Sequence, residues 1–294
     1  MHLTSVPDKS PDSERLDTSA GVRPLGQGSA PVVPLHEEIQ ENPWGYAKRF
    51  RFVKESITAE YPGRPSGSIR VLDVGCGNGS FIAIPLARYG FQVTGVDLHR
   101  PSIEHARRLA CATRNAQFIE TKVTDLTAPP FDVIILSEVL EHLGDPEALL
   151  LDSLRYLKPE GIVVVTVPNG YGEFEIDWWI FRTLRLQKAI DLVRQLRRGG
   201  RSQPAIATPS ELAATDNEVC GHVQFFRRGS LRKLFQACSL AIVKESAGPF
   251  ISGALVCYTL ARYRSFIEWN VRIADRLPLA LVSSWYFVLR RANR

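Results

Sequence analysis

The stretch VLDVGCGNGS, residues 71–80, runs from a strand-like apolar pattern into Gly75, Gly77 and Gly79 at alternate positions. Three glycines in five residues mark a backbone bend that passes close to something, or turns where a side chain would clash. The chain beyond it supplies the setting for such a bend. Strand-length apolar runs recur at 91–96 (FQVTGV), around 117–120, at 131–136 (FDVIIL) and at 162–167 (IVVVTV). Helical segments fit between them at 79–89, at 101–114 and up to residue 157, with Pro101 suited to a first helical turn. Strands alternating with helices at this spacing predict a parallel sheet covered on both faces.

The alternation stops at about 170–226 and resumes with a helix at 230–238 and strands near 240–245 and 254–260. Residues 1–35, rich in Pro, Ser, Gly and Asp, read as a disordered tail. The expected domain covers 36–262 and opens with a helix at 37–60, on which Trp44, Phe50, Val53 and Ile57 recur at helical spacing. An insertion lies within it at about 170–226. A basic, aromatic pair of helices is expected over 263–294.

The glycine spacing narrows the ligand. A dinucleotide fingerprint, GxGxxG, puts its third glycine five positions after the first, and a phosphate loop needs GxxxxGK[ST]. This chain has GxGxG and no phosphate loop. Asp73 precedes Gly75 by two residues, where its charge would repel a pyrophosphate and suit an ammonium or sulfonium. Asp97 ends FQVTGVD, 22 residues after Gly75, and can accept both hydroxyls of a ribose, a feature shared with dinucleotide enzymes. Asp125, in VTDL, can accept from an adenine amino group while Leu98 and Leu126 sandwich the ring. Three acids at successive strand ends, with this turn, point to an adenosyl ligand with a cationic tail, S-adenosyl-L-methionine.

VLDVGCGNG, VTGVDL, FDVIILSEVLEHL and LKPEGIVVVTVPN stand in this order between residues 69 and 169. Together they resemble the class I S-adenosylmethionine-dependent methyltransferases. EVLEHL and the insertion after the fifth strand make the chain most similar to the ubiquinone-biosynthesis O-methyltransferase branch. The resemblance implies an α/β fold: a Rossmann-like, seven-stranded, mostly parallel sheet with helices on both faces, its last strand antiparallel, plus a helical insertion after strand 5. It also implies cofactor contacts at Asp73, Gly75, Cys76, Gly77, Asp97, Leu98, Asp125, Leu126, Ser137 and Glu138.

The methyl acceptor is read from the residues after the fourth strand. Enzymes that methylate nucleic-acid or amide nitrogens often carry an Asn/Asp-Pro-Pro-aromatic motif there. This chain carries SEVLEHL, and its APPF at 128–131 lies before that strand, which argues against nucleic acid. Glu138, Glu141 and His142, at i, i+3 and i+4, would share one face of a helical turn. His142 suits a general base for a hydroxyl acceptor. Two carboxylates with a histidine also suit a divalent ion that acidifies a phenol, although no metal ligand set is assigned. His222, in CGHVQFFRRGSLRKLF, is the second base candidate, because similar methyltransferases fold a like stretch over the acceptor. Phe225 and Phe226 are expected in the core. Tyr46 and Arg49, in NPWGYAKRF, either close over the cofactor carboxylate or belong to a packing helix.

Charge is uneven along the chain. From Trp178 onward there are 19 Lys/Arg against 7 Asp/Glu, and before it 17 against 24. The stretch WWIFRTLRLQKAIDLVRQLRRGGR carries seven basic residues and one acid, Asp191, and a helix of this kind can lie on an anionic membrane surface. Residues 277–289 (LPLALVSSWYFVL), flanked by arginines, would add a second contact. The first residues lack an apolar signal core, and no apolar run reaches the roughly 18 residues of a spanning helix. Five scattered cysteines without a CxxC pair suit a reducing compartment. The expectation is a cytoplasmic enzyme, peripheral on the membrane, that O-methylates a small-molecule or lipid-like acceptor. Its alternatives are RNA methylation through the basic C-terminal half and a catalytically silent cofactor-binding module.

Overall fold

Five of the sequence's strand-like runs pair side by side in parallel, and buried parallel strands read as apolar runs because both their faces are covered. The computed structural model describes residues 41–171, 222–253, 256, 260 and 262–292. In chain order the elements are α1 (Tyr46–Glu60), β1 (Arg70–Val74), α2 (Ala83–Arg88), β2 (Gln92–Asp97), α3 (Arg100–Leu109), β3 (Ala116–Glu120), β4 (Phe131–Ser137), α4 (Pro146–Leu154), β5 (Leu157–Pro168), α5 (Arg228–Ala237), β6 (Leu240–Ala247), α6 (Arg264–Ala274) and β7 (Ser284–Arg291). The seven strands form one sheet in the order β3-β2-β1-β4-β5-β7-β6. The pairs from β3 to β5 are parallel, and β7 runs antiparallel to both its neighbours.

Strand alternation divides the core in two. Leu72, Ile134, Leu136, Val163, Val165 and Phe287 face α4 and α5 through Leu150, Leu154, Leu231 and Phe235. Val71, Val133, Ile135, Val164 and Val288 face α1, α2 and α3 through Val53, Ile57, Leu86 and Ile103. The expected doubly covered, mostly parallel sheet is what forms. The tail at 1–35, the basic stretch at 178–198, Cys220 and Cys257 lie outside the described residues, so the helical insertion stays an expectation. No helix among the described residues is long and apolar enough to cross a membrane.

The C-terminal segment departs from expectation. The seventh strand is Ser284–Arg291, not 254–260, and Val256 instead accepts a helical hydrogen bond from Leu260 N–H at 2.9 Å. Residues 277–289 therefore form no membrane-facing helix. Trp285 to Leu289 are buried between β5 and β6. The flanking arginines serve the fold: Arg290 pairs with Glu60, and Arg291 donates to the Leu154 carbonyl. A continuous apolar run suits a strand hydrogen-bonded on both edges as well as it suits a buried helix.

At the other end of the sheet, Asp132 anchors three segments. Its carboxylate accepts from Arg70 N–H, Arg64 Nη1 and Lys158 Nζ, each at 2.9 Å. Lys158 reaches it because β5 bulges over 158–161, Leu157 pairing with Phe131 and Ile162 with Val133. Burial opposes ionisation of Asp132, but these three donors outweigh it and hold the carboxyl below its usual range. A depressed folded-state pKa stabilises at neutral pH and is lost as pH falls through it. Asp132→Asn is expected to cost about 1–2 kcal/mol at neutral pH, and the gap should narrow in acid. Urea unfolding at pH 7 and at acid pH checks this; a gap independent of pH overturns it.

Candidate active site

The sheet order reverses direction between β1 and β4, and crevices of α/β sheets open at the carboxyl ends of strands flanking such a point. Here the turn after β1 meets the turn after β4. Gly75 has φ +70°, and a Cβ on it would lie 2.6 Å from Val139 Cγ2. Gly79 has φ +71°, and a Cβ there would lie 2.7 Å from the Phe118 ring. Both contacts fall below any real Cβ separation, so the two loops can meet at Gly75, and the turn can pack on β3 at Gly79, only if these positions carry no side chain. The turn is also tied to β2: Gly75 N–H and Cys76 N–H donate to the Val96 carbonyl at 2.8 and 3.1 Å. The Cys76 thiol turns away from the crevice to pack on Gly95, and burial pushes its pKa well up.

A cavity of about 590 Å³ opens beside this turn. Its walls include Gly75, Gly77, Asp97, Leu98, Glu138 and His142. Asp97 anchors the turn and faces the cavity at once. Its two carboxylate oxygens accept Gly77 N–H and His99 N–H, each at 2.8 Å, and each oxygen retains a lone pair. Leu98, 65% exposed, presents an apolar wall. Asp73 lies beneath the turn, 3% exposed and outside the lining, with its pKa raised to about 8 by burial and then by Asp97. Past β3 the lining comes from Thr121 to Thr124. Asp125 is exposed on the adjoining 3₁₀ turn, and Leu126 is packed into the core. The structure thus brings Gly75, Gly77, Asp97, Leu98 and Glu138 to one cavity and leaves Asp73, Cys76, Asp125, Leu126 and Ser137 outside its lining.

Glu138 sits where β4 ends, at φ +55°, a conformation that L-residues adopt only under constraint. Its N–H donates to the Thr166 carbonyl at 2.9 Å, and its Oε1 accepts from the Thr166 hydroxyl at 3.0 Å. Its Oε2 pairs with Arg49 Nη2 at 3.2 Å. Burial works against the Arg49 charge, but the Glu138 carboxylate outweighs it and raises the guanidinium pKa. This left-handed residue ends any helical continuation from β4. Glu138, Glu141 and His142 therefore do not share a helix face as expected; only Leu140–His142 form a 3₁₀ turn.

The constellation that does form is different. The segment that begins at residue 222 packs against this turn, with Val223 N–H and Gln224 N–H donating to the Glu141 carbonyl at 2.8 and 2.9 Å. That clamp sets the His142 and His222 rings edge to face, 5.2 Å between centroids. Ligand atoms of Glu141, His142 and His222 lie within 4.8 Å of one another, and Glu141 is fully buried. Of the paired phenylalanines, Phe226 enters the core and Phe225 is 49% exposed. Tyr46 packs tilted against Phe81, just after the glycine turn, with 4.0 Å between ring centroids, and the Arg49 guanidinium lies 5.6 Å from the Tyr46 ring centre.

The family of proteins whose sequence pattern matches residues 46–245 is described as the methyltransferase domain. The chain belongs to this methyltransferase family. A ubiquinone biosynthesis O-methyltransferase of Rickettsia akari is 34% identical over 123 residues, 41% of this chain and 48% of that protein. Another, from Maricaulis maris, is 29% identical over 193 residues, 59% and 76% of the two chains. The chain thus spans about half the length of the first of these curated relatives. Among solved structures, PKMT2 from Rickettsia typhi in complex with AdoHcy shares the fold, with a TM-score of 0.54, 18% identity, and 86% and 54% coverage.

The cofactor of this methyltransferase is S-adenosylmethionine, and the cavity suits it. Asp97 retains acceptor capacity for two hydroxyls, Leu98 offers an apolar wall, and Gly75 and Gly77 expose bare backbone at the crevice. Its size falls within the roughly 300–1,000 Å³ usual for small-molecule sites. Thr166 and the Arg49–Glu138 pair were not assigned from sequence, although Thr166 is the lone polar residue of IVVVTV and so carries a signal.

Asp73 is protonated in the free protein below about pH 8. Asp73 lies beneath the turn and outside the cavity lining; if the cofactor's ammonium or sulfonium settles on the turn above it, the carboxylate form is favoured and binding releases a proton in that range. Affinity for S-adenosylmethionine should rise with pH up to about 8, by at most about tenfold per unit, and level off above. Calorimetric titration across this range, in buffers of different ionisation enthalpy, checks it. The same slope in Asp73→Asn overturns the assignment.

Proposed function

We propose that the protein transfers a methyl group from S-adenosylmethionine to an oxygen of a small-molecule or lipid-like acceptor, with His142 or His222 taking the acceptor's proton. The carrying observation is that two cavities meet at Glu138 with a base candidate on each side. His142 lines the large cavity, and His222 lines a smaller one shared with Arg49. A hydroxyl placed beside the two rings, which touch edge to face, can reach a nitrogen of either imidazole. The bound cofactor supplies the electrophilic methyl; the chain's task is to align the hydroxyl and accept its proton. Oxygen as the acceptor atom is supported by the relatives named as O-methyltransferases.

Glu141, His142 and His222 favour a second reading, in which a divalent cation held by them lowers the pKa of the acceptor oxygen. Activity abolished by EDTA and restored by magnesium would select that reading. Contact with an anionic membrane rests on the basic sequence at 178–198, and liposome flotation at low and high salt tests it.

Labelled methyl from S-adenosylmethionine, offered to separated lipid, small-molecule and RNA extracts, is expected to enter the lipid or small-molecule fraction. His142→Ala or His222→Ala should lower kcat by about 10²–10⁴-fold, with His222→Ala leaving cofactor affinity unchanged. Label entering only RNA, binding without transfer to any fraction, or full activity in the double variant overturns the proposal.

A further inference from the structure

The large cavity runs on past the residues that suit a ribose. Beyond Asp97 and Leu98 its walls are the turn at 121–124 and one face of α4. Asp145, the N-cap of that helix, Leu149 and Asp152 stand at i, i+4 and i+7, so all three project from one side. At about 1.5 Å per residue this wall is roughly 10 Å long. The far end of α4 is held against the turn. There the Tyr156 hydroxyl donates to the Leu126 carbonyl at 2.6 Å, and Leu150 and Leu154 share a core with Val123 and Leu126. Asp152 stands four residues before Tyr156 and so faces the same turn.

A base that passes Leu98 into this space needs an oxygen for its amino group, and most oxygens there are taken. The Lys122 carbonyl already accepts Asp125 N–H and the Thr121 hydroxyl, each at 3.1 Å. The Val123 carbonyl accepts Leu126 N–H at 3.3 Å. The Thr124 hydroxyl donates to Asp125 Oδ1 at 3.0 Å. Asp145 is exposed, and its Oδ1 caps α4 by accepting Ala148 N–H at 3.0 Å. Asp152 is half-buried, and among the described residues no hydrogen bond or ion pair engages its carboxylate.

We propose that Asp152 is the residue that reads the cofactor's adenine, its carboxylate accepting an N–H of the exocyclic amine. The inference rests on S-adenosylmethionine occupying the large cavity. It moves recognition of the base from Asp125, which is exposed and outside the lining, to helix α4. A carboxylate that receives an amine repels a carbonyl oxygen in the same place, so the site rejects a 6-oxopurine. Leu98 and Leu149, being apolar, take either ring alike.

The test is calorimetric titration of the full chain with S-adenosylhomocysteine and with S-inosylhomocysteine, in which the amine at purine position 6 is replaced by a carbonyl. The wild type is expected to bind the adenosyl form about 10–100-fold tighter. In Asp152→Asn the amide can turn to accept an amine or to donate to a carbonyl, so the ratio should fall to within about threefold of one. Asp125→Asn should leave the ratio unchanged. Circular dichroism confirms that both variants fold. Equal affinity of the wild type for the two compounds, an unaltered ratio in Asp152→Asn, or a ratio lost in Asp125→Asn overturns the proposal. If the wild type binds neither compound at millimolar concentration, the cofactor assignment fails and the proposal with it, an outcome distinct from equal binding of both.

Discussion

Val139 can rest on Gly75 because Gly75 has no side chain. Neighbouring parallel strands lie about 4.8 Å apart, so the turns leaving β1 and β4 must cross at close range. A Cβ at 75 would collide with Val139, the residue next to the left-handed Glu138, and push the two loops apart. From Glu138 the rest of the site is built. Its carboxylate fixes Arg49 on α1 and takes the Thr166 hydroxyl from β5. One residue therefore binds three elements and forms the partition between two cavities.

Asp97 shows how a single carboxylate can serve structure and ligand together. It receives one backbone N–H on each oxygen, which holds the glycine turn on β2, and it still has acceptor capacity facing the crevice. The base candidates are positioned by a different means. His142 sits on a short 3₁₀ turn, and His222 arrives from a segment clamped to the Glu141 carbonyl. The large cavity is thus lined mainly by strand ends, and the paired histidines come from a short turn and a segment docked onto it.

The first five strands were legible because each is a short apolar run closed by glycine, proline or an acid. The large cavity beside the glycine turn was legible for the same reason: Gly75, Gly77 and Asp97, which line it, stand at strand ends in fixed order. The order of the last elements was not. The run at 277–289 has no alternation, since β7 is covered on both faces, and periodicity cannot separate such a strand from a buried helix. The helical face expected for Glu138, Glu141 and His142 failed because spacing alone does not reveal a positive φ. Arg49 stayed ambiguous because its role depends on Glu138, 89 positions along the chain. Asp125 and Leu126 were assigned by motif order, but the 3₁₀ turn presents Thr121 to Thr124 to the cavity in their place.

The antiparallel strand has a consequence for how the protein is made. β7 is the last strand in the sequence, yet it lies between β5 and β6, with Val163 paired to Leu289. Until the ribosome releases residues 284–291, β5 has an unpaired edge and β6 has no neighbour in the sheet. The nascent chain can complete the half that carries the glycine turn and must wait to close the other. During that interval the exposed edge of β5, IVVVTV, invites pairing with other chains.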